Sequence, residues 1–190
     1  MSTTKKILAL TPLLVGLIVS IIFIFFIGVD ALVDSIGVQN AYLLMFLVAA
    51  LGGLSTFNSV PYLAVLMVLA NTGVNPIMLG LASAVGVMCG DSFSYFLGRR
   101  GGTVIPDSFQ YVFVHIKNFA LQHPRLFPGF CFFYGAFCPL SNDFVTIASG
   151  IAQISYKKVM VPLALGNIVF NIGFAYFSVY ASEWVSGVLG

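Results

Sequence analysis

Two carboxylates stand inside apolar stretches of this chain: Asp91, in a run from Pro76 to Gly98, and Asp143, in a run from Leu126 to Ile154. An ionisable group in such a segment costs about 2.5–3.5 kcal/mol on insertion scales, so each is a candidate proton- or cation-binding group. For Asp143 the alternative is a carboxylate that stabilises the positive start of a helix. Asp91 precedes Arg99 by eight residues, about 12 Å at 1.5 Å per residue, so its contacts are expected across a helix bundle. Pro139, Ser141 and Asn142 lie beside Asp143, and a matching polar break earlier in the chain holds Asn58, Ser59 and Pro61. These side chains are donors suited to an anionic headgroup; the plainer alternative is that they cap the helices that follow them. Asn167 and Asn171 are four apart on one helical face, where cross-helix bonding is favoured over ligand binding.

Other chemistry finds no support. There is no HExxH, no GxSxG and no acidic cluster at the spacing of a headgroup transferase. Both histidines, His115 and His123, fall in a connecting segment, so a serine nucleophile has no nearby base, and the chain is not expected to be an enzyme or to need a cofactor or metal. Cys89, Cys131 and Cys138 lack CxxC spacing and are expected to be small buried hydrophobes. The formal net charge is +2, with the basic residues scattered singly or in pairs, which gives no reason to expect nucleic acid.

The elements that position these groups follow from composition. Of 190 residues, 59% are hydrophobic and 7% charged, against about 25% charged in soluble domains. The apolar segments are Ile7–Val29, Ala41–Asn71, Pro76–Gly98, Leu126–Ile154 and Val159–Ser182. The first follows Lys5 and Lys6 and is too long for a signal-peptide core, so it is expected to be an uncleaved helix. The second and fourth are interrupted near their middles by Gly, Ser, Asn and Pro. If both dip into the membrane and return, Arg99, Arg100, Lys117, Arg125, Lys157 and Lys158 share the cytoplasmic side with the N-terminus, while Asp30, Asp34 and Glu183 lie outside. A full crossing by Ala41–Asn71 would put Arg99 and Arg100 outside, against the positive-inside rule.

At an offset of 80 residues Phe57 falls on Phe137, Gly86 on Gly166, Asp91 on Asn171 and Ala70 on Gly150. The expected fold is therefore an all-α polytopic membrane protein, an inverted repeat of a re-entrant helical hairpin plus a transmembrane helix. Residues 1–37 give the first helix and an outer loop, 38–105 the first repeat, 106–124 a cytoplasmic amphipathic linker, and 125–190 the second repeat. In the linker, Phe109, Val112, Phe113, Ile116 and Ala120 share one face, between Pro106 and Pro124; that face is expected either on the bundle or in the headgroup layer. Ala82, Gly86, Gly90, Ser94 and Gly98 make a small-residue stripe for close helix packing.

The run Gly86-x-x-x-Gly90-Asp91-x-x-x-Tyr95-x-x-Gly98-Arg99-x-x-Gly102 resembles the signature of the DedA / SNARE-associated Golgi protein (VTT-domain) family, and Phe137-Cys138-Pro139 through Gly150 resembles its second hairpin. The likeness covers roughly residues 40–182 and is nearest to a small, divergent branch. It implies two re-entrant hairpins in inverted repeat and a part in moving or scrambling lipids, including a polyprenyl-phosphate carrier. Asp91, Tyr95 and Arg99 match the signature, and Pro61 and Pro139 match tip prolines. Bacterial members carry a glutamate near the first tip, where this chain has Asn58, and arginines in the second, where it has Ser141, Asn142 and Asp143. The leading expectation is a multi-pass lipid translocator of a prokaryotic plasma membrane, with membrane lipids as partners, protons or a monovalent cation as candidate co-substrates, and a homo-oligomer left open. The alternatives are a proton-coupled carrier for a small solute and a scaffold or assembly factor.

Overall fold

The computed structural model describes residues 37–54, 60–100, 110–138 and 141–189. The first helix expected at Ile7–Val29, the tip residues Asn58, Ser59 and Pro139, and Pro106 lie outside them. The described residues form seven helices and no strand: α1 (Val38–Leu54), α2 (Val60–Ala70), α3 (Pro76–Arg99), α4 (Gln110–Gln122), α5 (Phe127–Phe137), α6 (Asp143–Ile151) and α7 (Tyr156–Leu189).

Local chemistry sets the starts. Asn75 caps α3, its Oδ1 accepting from the amides of Ile77 at 2.9 Å and Met78 at 3.3 Å. Pro76 follows as the first helical residue, where its missing N–H leaves no bond unmade. Pro61 and Pro128 likewise sit in the first turns of α2 and α5. Pro162 lies inside α7, which continues through it as one helix of 34 residues.

Length separates the helices into two kinds. With 11, 11 and 9 residues, α2, α5 and α6 extend about 14–17 Å, well short of the roughly 30 Å of a bilayer core. Only two described helices are long and apolar enough to cross a membrane, over Pro76–Arg99 and Tyr156–Trp184. The second is longer than the expected Val159–Ser182.

These two long helices run antiparallel against each other. Gly80 meets Ile172, Ser83 meets Asn171 and Asp91 meets Asn167, so position numbers rise along one helix as they fall along the other. Each also receives short helices through glycines. A Cβ on Gly86 would strike the backbone carbonyl of Phe46 in α1, and one on Gly166 would strike that of Phe132 in α5. A Cβ on Gly98 would come within 2.5 Å of the Ile147 carbonyl in α6. The small-residue stripe is thus a packing surface on two sides. The partners cross over: α6 lies on α3, and α2 lies on α7. Each long helix thereby holds one short helix from its own half of the chain and one from the other half.

Polarity is arranged inside out. Val161, Leu165, Val169, Phe177 and Tyr180 of α7 are exposed, while Asn167, Asn171 and Ser178 of the same helix are buried. On α3 the exposed side chains include Val85, Phe93 and Phe96, while Ser83, Asp91 and Ser94 are buried. Lipid, not water, matches that outer surface. The cysteine expectation is corrected here: Cys131 is buried, Cys138 is partly exposed and Cys89 is exposed. Cys89 falls between the stripe positions, on the outward side with Val85 and Phe93, where none of the described helices covers it.

The linker helix α4 packs on the bundle. Phe113 and Ile116 are buried, and the Phe113 ring lies 5.9 Å from that of Phe144 in α6. Phe119 meets Phe130 of α5 edge-on at 5.4 Å. Tyr111, Val114 and Leu121 remain exposed, so α4 carries apolar side chains on its outer side as well.

Candidate functional site

The start of α6 meets the middles of both long helices in one polar cluster. Asn142 Nδ2 donates to Asp91 Oδ2 at 2.8 Å and to Asn167 Oδ1 at 3.0 Å. Asn167 Nδ2 donates to the same Asp91 oxygen at 3.2 Å. One turn along α7, Asn171 Nδ2 donates to the Asn167 carbonyl at 2.8 Å, and Asn171 Oδ1 accepts from Ser83 Oγ at 2.9 Å. The cluster is closed: Asp91 is 3% exposed and Asn171 is 0% exposed. Buried polar groups offset their desolvation cost only when bonded, and here two amide donors meet one carboxyl oxygen of Asp91.

The turn before α6 is held from several directions. Tyr134 of α5 donates its hydroxyl to the Ser141 carbonyl at 2.9 Å. Ser141 Oγ donates to Asp143 Oδ2 at 2.9 Å and accepts from the Asp143 amide at 3.3 Å. Asn142 is the residue before the helix, yet its side chain makes no capping bond; it is turned to Asp91 and Asn167 instead. Thr146 Oγ1 donates back to the Asn142 carbonyl at 3.1 Å. Asp143, the first residue of α6, is placed where a carboxylate also favours the helix dipole.

Of the residues singled out in the sequence, Asp91, Asn142, Asn167 and Asn171 are brought together, with Ser141 and Asp143 adjoining them. Tyr95 and Arg99 form a second group near the end of α3. The Tyr95 hydroxyl donates to the Ile154 carbonyl and accepts from Arg99 Nη1 at 2.9 Å. Gln153, with φ +57, donates its side chain to the Arg99 carbonyl at 3.0 Å. This group pins the turn between α6 and α7. Pro61 is the second residue of α2. Sequence reasoning passed over Ser83, Tyr134 and Thr146. For Ser83 a signal existed, since Ser83, Val87 and Asp91 recur every four residues just as Asn167 and Asn171 do.

This polar seam between two long helices, one of them bearing the Gly-Asp-Tyr-Gly-Arg run, is the part of the chain that comparison with known proteins recognises. The family model of the VTT domain matches residues 57–180. The chain belongs to the VTT-domain family. The VTT domain, shared by DedA and SNARE-associated Golgi proteins, makes this a membrane protein. No curated protein and no solved structure matched the chain. The VTT match takes in α2 through most of α7, and with them every member of the polar cluster.

Proposed function

We propose that this VTT-domain protein translocates or scrambles lipids, a phosphate-bearing carrier lipid among them, through the seam at Asp91. The observation that carries the proposal is the meeting of Asp91, Asn142 and Asn167 inside a bundle whose outer face is apolar. A polar track between helices lowers the cost of moving a headgroup past hydrocarbon, and backbone breaks at membrane depth are tolerated where protein or a hydrated cavity satisfies them. On this reading α5 and α6 form one re-entrant hairpin and α1 and α2 the other. The short lengths of α2, α5 and α6 support it, as does the placement of Phe127 and Ala152 at the two ends of α5–α6 beside a common cleft. The swapped packing of α2 and α6 supports the inverted repeat. The basic end of the bundle then faces the cytoplasm and the membrane is the plasma membrane. Asp91 and Asp143 serve as polar or proton-binding groups, membrane lipids are the partners, and the protein does no covalent chemistry.

The test is reconstitution into liposomes, comparing labelled-lipid movement by the wild type and by an Asp91→Asn, Asp143→Asn double variant. Movement lost only in the variant supports the seam as the path; movement no faster than in empty vesicles defeats the proposal. A second reading, a proton-coupled carrier for a small solute or cation, is favoured by the convergence of both carboxylates on the Ser141–Asp143 turn. It requires uptake that collapses when the pH gradient is dissipated.

A further inference from the structure

A second site lies away from this seam, in a cleft of about 230 Å³ where the end of α4 and the start of α5 face the turn between α6 and α7. Ala120 and Phe127, both buried, form an apolar part of its wall, joined by Leu121, Pro124 and Ile154. Gln153, Ser155 and Lys158 supply the polar part. No Asp or Glu lines it among the described residues. Arg125 and Lys157 are chain neighbours of the lining residues Pro124 and Lys158, and Gln153 donates to the backbone carbonyl of Arg99. Lys157 and Lys158 also stand in the first turn of α7, which contains no acidic residue. Cations at the positive end of a helix repel it, and an anion relieves both.

We infer that this cleft binds an anionic phospholipid from the adjoining leaflet, with Lys158 and Ser155 at the phosphate and the Ala120–Phe127 wall against the first carbons of an acyl chain. The volume decides between part of a molecule and all of it. Sites that enclose a whole small ligand are about 300–1,000 Å³, so this cleft holds the neck of a longer molecule whose chains continue outside. Leu121 is 56% exposed and lines the cleft, so its apolar wall runs on to the outer side of α4, where Val114 and Tyr111 are also exposed. Headgroup charge and hydrocarbon are thus both provided for at one place, which a soluble phosphate would use only in part. The site shares no residue with the Asp91 cluster and does not depend on the translocation reading; occupied, it ties α4 to the α6–α7 turn.

The experiment is thermal unfolding of the purified full chain in non-ionic detergent, titrated with phosphatidylglycerol, phosphatidylcholine or glycerol 1-phosphate. Phosphatidylglycerol is expected to raise the Tm saturably while the other two do not. Lys158→Gln, and Ala152→Leu, which narrows the cleft, are each expected to weaken half-saturation about fivefold or more with the lipid-free Tm unchanged. Lys117→Gln, which removes the same charge outside the cleft, is expected to behave as wild type. No saturable rise with phosphatidylglycerol overturns the inference. So does an equal rise with glycerol 1-phosphate, which marks a soluble-anion site, or an equal loss in Lys117→Gln, which marks diffuse attraction. Because the readout is binding, failure of lipid movement in liposomes leaves this result unaffected.

Discussion

Asn142 Nδ2 lies 2.8 Å from Asp91 Oδ2 and joins the residue that precedes α6 to α3 across 51 positions of sequence. Asp91 receives Asn167 on the same oxygen, so one carboxylate holds a short helix and both long ones. Replacing it by Leu leaves two amides facing an apolar group. An unsatisfied buried donor costs about 1–3 kcal/mol, and Asp91→Leu is expected to lower the Tm in detergent by about 4 °C or more. Asp91→Asn, which can still accept through its amide oxygen, should lose clearly less; equal losses would mean that bulk and not bonding holds the seam.

Gly150 makes a sharper steric prediction. A Cβ there would strike the Tyr95 carbonyl and come within 2.8 Å of the Arg99 amide, so both obstacles are backbone and neither can swing aside. Gly150→Ala is expected to push α6 off α3 at a cost of at least about 1–3 kcal/mol. The check is the monodisperse fraction on size exclusion after extraction. Gly129→Ala, which meets nothing within 4 Å, should elute as wild type.

Tyr95→Phe tests the second group. The change removes the hydroxyl that donates to Ile154 and accepts from Arg99, with little change in volume. A cost of about 1 kcal/mol is expected, concentrated in the α6–α7 turn. Hydrogen exchange at residues 152–156 should speed up about fivefold, with no matching change near Asn171. Uniform acceleration along the chain would contradict a local clamp.

The thiols test which sides of the helices are covered. Cys89 is exposed and Cys131 is buried. A small uncharged maleimide should modify Cys89 at least about tenfold faster than Cys131 in detergent, since the reagent reaches a buried thiol only when the packing around it opens. Peptide mapping by mass spectrometry gives the ratio, and comparable rates would argue against the packing of α5 on α7.

Much of this was legible in the sequence, because membrane segments announce themselves by composition and their breaks by Pro, Asn and Ser. The start of α6 at Asp143 falls at the polar break the sequence showed there, and Pro61 lies in the first turn of α2. Asp91, two turns from Arg99, finds its partners across the bundle as its spacing required. The identity of those partners was hidden. Asn142 has the composition and place of a helix cap, and only the tertiary fold turns its amide away from its own helix. Tyr95 and Arg99 showed themselves through the family signature alone, since their target is the backbone of Ile154 and a carbonyl carries no side-chain signal. Tyr134 reaches the Ser141 carbonyl across the break between α5 and α6, a contact that periodicity along one helix cannot reveal.

The crossed packing of the short helices bears on how the protein is made. During synthesis α3 leaves the ribosome long before α6 exists to cover Gly98, and α2 must wait for α7. The first half therefore enters the membrane with the Gly98 side of its small-residue surface uncovered and cannot reach its final energy by itself. Two separately expressed halves, divided in the segment before α4, should each be degraded alone and persist only together, as obligate subunits of a chain that nature happens to have joined.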